Sequence, residues 1–354
     1  MAGGIGSRFW PMSRKDLPKQ FLDILGTGRT LLQQAFDRFS KIIPVENFLV
    51  VTSVDYRDLV KKQLPELDAN QILGEPLRRN TAPCVAYAAN KIKTINPEAN
   101  LIVAPSDHLI LKEDEFLNQI VNGLEFVASN RALLTLGIKP NRPETGYGYI
   151  QIGEKASFKG LNNLNQVKTF TEKPNLQMAE VFVDSGEFFW NSGIFLWSIP
   201  TILRAFEAHL NDVAVLFAQG EHLYNTPSEK AFINKIYSEC MGISLDYGIM
   251  EKSDNVYVLT ADFGWSDLGT WGSLYENLDK DEEQNVVIGQ NVLTYNTENC
   301  IINMPKNKIA VVQGLDGFIV VESNNTLLIC KREDEQQIRQ FVNDVQLKFG
   351  PDVV

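Results

Sequence analysis

The sequence predicts an α/β fold, with a mixed, mainly parallel sheet flanked by helices and a small β-rich domain after it. Three observations point there. From about Thr30 to Ile138, apolar runs of strand length alternate with segments of helical apolar spacing, the pattern of a parallel sheet covered by helices. The 354 residues allow about two domains. After the charged stretch Asp279-Lys280-Asp281-Glu282-Glu283-Gln284, short β-type pieces alternate with turn residues such as Gly289, Asn296, Asn299, Asn307, Gly314, Gly317 and Asn324-Asn325. The expected domains are therefore 1–279 and 280–354.

Each element has its own reason. Thr30 is a plausible N-cap for a helix carrying Leu31, Leu32, Ala35, Phe36 and Phe39. Phe48 to Thr52 reads as a buried strand, Asp55 to Leu64 as a helix, and Gln71 to Leu73 as a short strand. A helix is expected over Pro83–Ile95, with proline tolerated in its first turn. Leu101–Ala104 and Leu133–Ile138 read as strands around a helix from Glu113 to Ser129. Strands are expected at Tyr149–Gly153, Gln166–Thr171, Gly193–Trp197 and Val256–Thr260, and helices between Leu203 and Glu239. A last helix is expected over Glu333–Phe349, with Ile338, Phe341, Val342 and Val345 on one side.

Composition narrows the function. Apolar content is 44% and net charge is -11, which suits a soluble core and disfavours a nucleic-acid binder, whose phosphate partners need a basic face. A small anionic ligand needs only a local cluster of cations. The four cysteines lie far apart with no CxxC pair, so reduced buried thiols are expected rather than zinc or disulfides. That usage fits a cytoplasmic protein. No secretory signal is visible, and no apolar run approaches the ~18 residues of a membrane span.

Five constellations carry chemistry. Gly3-Gly4-Ile5-Gly6-Ser7-Arg8 is a glycine loop whose amides can form an anion nest, with Arg8, Arg14 and Lys19 as nearby cations. It is neither GxGxxG nor a Walker loop. Asp107, in Pro105-Ser106-Asp107-His108, follows a buried strand at the sheet edge where ligands bind. It could hold Mg²⁺ or cap a helix. Asp267, between Trp265 and Trp271, could be a second metal carboxylate or an N-cap. Glu172-Lys173-Pro174 and Trp190-Asn191-Ser192-Gly193 suit a phosphorylated sugar, though adjacent Glu and Lys also occur as plain surface residues. The Glu75 to Pro83 loop could read a base or simply lead into a helix capped by Thr81.

In order along residues 1 to about 275, these segments resemble the sugar-1-phosphate nucleotidylyltransferases. Trp10-Pro11, Pro18-Lys19-Gln20-Phe21, Arg79-Asn80-Thr81-Ala82-Pro83, Gly146-Tyr147-Gly148-Tyr149, Asp246-Tyr247, Met250-Glu251-Lys252 and Trp265-Ser266-Asp267 share in the match. The resemblance is strongest to the guanylyl branch. It implies a Rossmann-like fold of the nucleotide-diphospho-sugar transferase type and a tail like a left-handed β-helix. The implied reaction is transfer of GMP from GTP to α-D-mannose 1-phosphate, giving GDP-mannose and pyrophosphate with Mg²⁺. It implies that Gly3, Gly4, Gly6 and Ser7 cradle the nucleotide phosphates, and that Arg8 and Lys19 neutralise them. Asp107 and Asp267 would hold the metal, and Arg79, Asn80 and Thr81 would read guanine. Lys173 and Lys252 would contact the sugar phosphate, and Glu172, Asn191, Tyr147 and Gly148 the mannose hydroxyls.

Two other readings stay open: a nucleotidylyltransferase for a different pair of substrates, and a catalytically silent relative that binds GDP-mannose and regulates a partner. The apolar tail also suggests a homodimer. In the family an apolar strand precedes the glycine loop, and the expectation is that the natural protein begins several residues before Met1. No phosphomannose isomerase activity is expected.

Overall fold

A computed structural model describes residues 1–4, 6–159 and 161–351, and the side chain of Ser7 lies outside the described part. The helices are α1 (Leu31–Ser40), α2 (Arg57–Gln63), α3 (Thr81–Lys93), α4 (Glu113–Ser129), α5 (Leu176–Ser185), α6 (Ile199–His209), α7 (Asn211–Ala218), α8 (Glu229–Glu239), α9 (Trp271–Asn277) and α10 (Ile338–Phe349). The strands of the first part are β1 (Val50–Ser53), β2 (Ile72–Glu75), β3 (Asn100–Val103), β4 (Leu109–Ile110), β5 (Leu133–Ile138), β6 (Gly148–Lys155), β7 (Leu164–Glu172), β8 (Phe188–Ser198), β9 (Val256–Ala261) and β10 (Trp265–Ser266). Those of the tail are β11 (Val286–Ile288), β12 (Val292–Tyr295), β13 (Ile301–Asn303), β14 (Ala310–Gln313), β15 (Phe318–Ser323) and β16 (Thr326–Lys331).

By contacts the chain forms two compact units, and they cut it differently from one boundary near residue 279. The first comprises Met1–Gly3, Arg38–Pro105 and Ile110–Trp265; the second comprises Gly4–Asp37, Ser106–Leu109 and Ser266–Val354.

The first unit is built on a six-stranded sheet of order β3-β8-β5-β9-β7-β6, in which β6 also pairs with β8. Strand alternation sends successive side chains to opposite faces. Leu133, Phe195 and Trp197 join one buried cluster with α3, α6, α7 and α8. Leu134, Leu136, Ile194 and Leu196 join another with α4. Gly123 lets α4 approach, since a Cβ there would lie 3.0 Å from both Leu134 and Leu196. The mixed α/β class holds, but fewer ladders are parallel than the sequence pattern implies. Only β5–β9 and the separate pair β1–β2 run parallel in this unit, among the ladders described. The reason is local: Lys155 to Leu164 is too short for a helical crossover, which needs about a dozen residues, so β6 and β7 pair antiparallel.

In the second unit β11, β13 and β15 stack as parallel rungs, and β12 pairs parallel with β14. β16 folds back antiparallel on β15 through Asn324-Asn325, both at positive φ, as a tight hairpin turn requires. Val286, Ile301, Ile319 and Leu328 share a buried cluster with Phe9, Trp10, Ile24, Trp271 and Ile338. The last helix forms with a 3₁₀ lead-in over Arg332–Gln337. All four cysteines are buried free thiols, and among the described residues no helix is long and apolar enough to cross a membrane.

Candidate active site

The second unit gathers the glycine loop from Gly4 onward, Lys19, Asp107 and Asp267. The loop turns at Gly6 (φ +64°), where a Cβ would lie 2.5 Å from Lys19 Cβ. Glycine is thus required both by the backbone and by the approach of Lys19. Gly4 is exposed, a Cβ on it would meet nothing, and its carbonyl accepts from Gln20 Nε2 at 2.9 Å. Ser7 opens a short 3₁₀ turn with Arg8 and Phe9. The Arg8 Nε is buried with no hydrogen-bond partner among the described residues.

Lys19 is 4% exposed. Its Nζ pairs with Asp107 Oδ2 at 2.9 Å and donates to the carbonyls of Asp267 at 2.7 Å and Leu268 at 3.0 Å. Those contacts use the three N–H donors of an ammonium, so Lys19 anchors the two aspartate segments rather than standing free for a phosphate. Burial opposes the charge on Asp107, but Lys19 and His108 outweigh it and hold the carboxyl below its ordinary value. Neither aspartate is a helix cap: α4 begins after Lys112, and α9 is capped by Thr270 with Ser273. The Asp267 loop is tied locally, with Gly269 N–H donating to Asp267 Oδ1 at 2.8 Å and buried Leu268 held at φ +45°. Among the described residues no three His, Cys, Asp or Glu side chains form a metal cluster.

The first unit gathers the sugar-type residues. Glu172 and Lys173, at the end of β7, form an ion pair with Glu172 half-buried and Lys173 exposed. Gly148 makes room for that carboxylate, because a Cβ there would lie 2.5 Å from Glu172 Oε2 and 3.5 Å from Asn191 Cβ. Tyr147 meets the rings of Trp190 and Trp265 edge-on at 5.1 and 5.2 Å. Its carbonyl accepts from Lys173 N–H at 3.1 Å. Lys252 is exposed just beyond a π-turn over Asp246–Met250. Asn191 Nδ2 donates to Asp246 Oδ1 at 2.8 Å.

The expected base readers all have local partners. Asn80 caps α3, Thr81 Oγ1 accepts from Leu245 N–H at 2.8 Å, and Arg79 Nε donates to Tyr237 O at 3.0 Å. A carboxylate with no assigned role stands nearby. Glu75 ends β2, Tyr237 OH donates to its Oε1 at 2.9 Å, and a Cβ on Gly3 would lie 3.8 Å from its Oε2. Burial pushes its carboxyl up to about 7. Glu75 and Asp246 both lie within motifs visible in sequence, but only folding shows that each is half-buried and partnered.

A family model described as nucleotidyl transferase matches residues 1–284. The chain belongs to the nucleotidyl transferase family. A second model, a mannoseP isomerase/GMP-like beta-helix domain, matches residues 290–345 of this nucleotidyl transferase. It is 34% identical to a mannose-1-phosphate guanylyltransferase of Escherichia coli, over 98% of this chain and 75% of the relative. It is 36% identical to one of Klebsiella pneumoniae, over 97% and 72%. The crystal structure of a mannose-1-phosphate geranyltransferase from Thermus thermophilus superposes with a TM-score of 0.86 at 29% identity, covering 98% of both chains.

Proposed function

We propose that this nucleotidyl transferase moves GMP from GTP to α-D-mannose 1-phosphate, releasing pyrophosphate and forming GDP-mannose. Relatives at 34–36% identity carry that activity in their names. The observation that carries the reading is the Lys19 anchor, which keeps Asp107 ionised beside the Asp267 loop and a glycine loop that is open at Gly4.

An oxygen of the sugar phosphate attacks the α-phosphorus of GTP. A new P–O bond forms as the bond to the bridging oxygen breaks, and that oxygen leaves with its electron pair on pyrophosphate. The attacking oxygen is already anionic, so alignment and charge neutralisation replace a general base. The loop amides cradle phosphates, and Arg8 neutralises charge on the leaving group. Lys173 exchanges its Glu172 partner for the sugar phosphate, while Glu172 and Asn191 hold hydroxyls. Guanine presents N–H donors at N1 and N2, and Glu75 is the acceptor we assign to them.

Asp107 and Asp267 offer hard oxygens but no full ligand cage, a donor set that suits Mg²⁺, which keeps waters and binds phosphates. When bound, it would supply further charge neutralisation across the reacting phosphates. Release of pyrophosphate from GTP, UTP and dTTP paired with several sugar 1-phosphates tests the assignment. GTP with mannose 1-phosphate should be the fastest pair; another preferred pair would replace this reading.

A further inference from the structure

Asn191 is fixed by its surroundings more fully than a surface amide needs to be. Its strand, β8, slips register against β5 between the pairs Gly137↔Asn191 and Thr135↔Phe195. Gly193 sits there at φ +69°. Such irregularities re-aim a side chain. Gly193 N–H donates to Asn191 Oδ1 at 3.2 Å, and the single O–H of Thr135 is shared between that oxygen and Ile194 O, each at 3.1 Å. A backbone N–H can only donate, so the oxygen end of the amide must face it, and the nitrogen end must face Asp246. Asp246 Oδ1 accepts from that Nδ2 at 2.8 Å. Among the described residues nothing takes the second Nδ2–H of Asn191, which is left to meet a ligand.

Asp246 is itself held from behind. It opens the π-turn whose Ile249 and Met250 are buried in the core, next to buried Leu245. Gly248 in the turn is required, because a Cβ there would lie 2.5 Å from Leu210 Cδ1. The preceding residues are tied to the start of α3: Ile243 N–H donates to Arg79 O, Ala82 N–H to Ile243 O, and Leu245 N–H to Thr81 Oγ1. A π-turn placed under this much constraint is a frequent mark of a functional site.

We infer that Asp246 is a positioning residue for sugar recognition: its carboxylate aligns the Asn191 amide, which presents its remaining N–H to a hydroxyl of the sugar phosphate. The inference rests on the function proposed above. The charged groups facing Asp246 are Glu172 and Lys173 at the end of β7 and Glu251 beyond its own turn. Burial first, then Glu172, pushes its carboxyl up to about 6. Above that value the carboxylate accepts from Asn191. Below it the protonated acid is a weaker acceptor, and sugar binding should loosen.

The test is a double-mutant cycle read by steady-state kinetics. Asp246→Ala should raise the KM for mannose 1-phosphate roughly ten- to a hundredfold, the scale of a lost hydrogen bond to a charged group, and leave the KM for GTP unchanged. Asp246→Asn keeps an acceptor oxygen, so it should recover most of that loss. It should also abolish the rise in sugar KM expected of the wild type as pH falls through about 6. In an Asn191→Ala background, Asp246→Ala should add nothing. A full cost persisting in that background, or a parallel rise in the KM for GTP, overturns the role. If the wild type prefers another sugar phosphate, the functional reading falls, and the same cycle run on that sugar still decides the role of Asp246.

Discussion

Lys19 stands where three segments of the second unit meet, since its partners lie on 106–109 and 266–354 while it belongs to 4–37. Asp107→Asn or Asp267→Asn leaves that scaffold hydrogen-bonded but removes a carboxylate charge. Each should lower kcat by about 10²–10³-fold, the usual effect of losing one preorganised electrostatic partner. Pyrophosphate release alongside an unchanged circular-dichroism spectrum would check it, and near-normal rates would remove the carboxylate pair from the chemistry. Glu75 makes a prediction of opposite character. Its carboxyl is raised from 4.5 to about 7, so the folded state holds the proton more tightly than the unfolded chain. Stability should therefore fall as pH rises from about 4.5 to about 7. Glu75→Gln should flatten that dependence and raise Tm at alkaline pH, while raising the KM for GTP. Melting curves across pH, with the KM measured beside them, separate the two effects.

At the scale of elements, α3 and α8 are locked by a buried carboxylate. Glu229 accepts from Lys91 Nζ and Tyr87 OH at 2.6 Å each and from Asn225 N–H at 2.7 Å. Glu229→Ala would strand the Lys91 charge, which is 4% exposed. Removing one partner of such a pair costs about 3–5 kcal/mol. Urea denaturation should show that loss with KM values little changed. Elements of this kind differ in how far the sequence reveals them. α4 spans the expected Glu113–Ser129, and β5 the expected Leu133–Ile138, because their apolar periods are unbroken. The Asn324-Asn325 turn is equally legible from residue type. β8 begins at Phe188, earlier than its expected start at Gly193, because the irregularity at Asn191–Gly193 interrupts the alternation. The π-turn at Asp246–Met250 is too short to have a period at all. Glu75 shows the same limit at the site: a carboxylate at a strand end is visible, but its burial against Tyr237 is a property of distant residues.

For the molecule as a whole, the second unit is discontinuous. Phe9, Trp10, Ile24, Leu268 and Trp271 are buried with Val286, Ile301, Ile319, Leu328 and Ile338. A chain cut after Asp279 keeps the loop, Lys19, Asp107 and Asp267 but loses the β-rich half of their core. Truncation there should abolish pyrophosphate release and make the 4–37 segment the first site of limited proteolysis, even where the first unit stays folded. Retained turnover would show that the cluster stands without the tail.

The same arrangement has a consequence for synthesis. The glycine segment emerges from the ribosome early, because chains are made from the N-terminus. Its packing partners in Ser266–Val354 come only after the whole of the first unit. The nascent chain must therefore carry Phe9, Trp10 and Ile24 without their cover while more than two hundred residues of the first unit are translated and fold. Contacts this distant in sequence are slow to form. The glycine segment is begun before most of the first unit and completed only after it, so a chain stalled before the tail should not bind nucleotides and should expose aromatic surface of the kind a chaperone recognises.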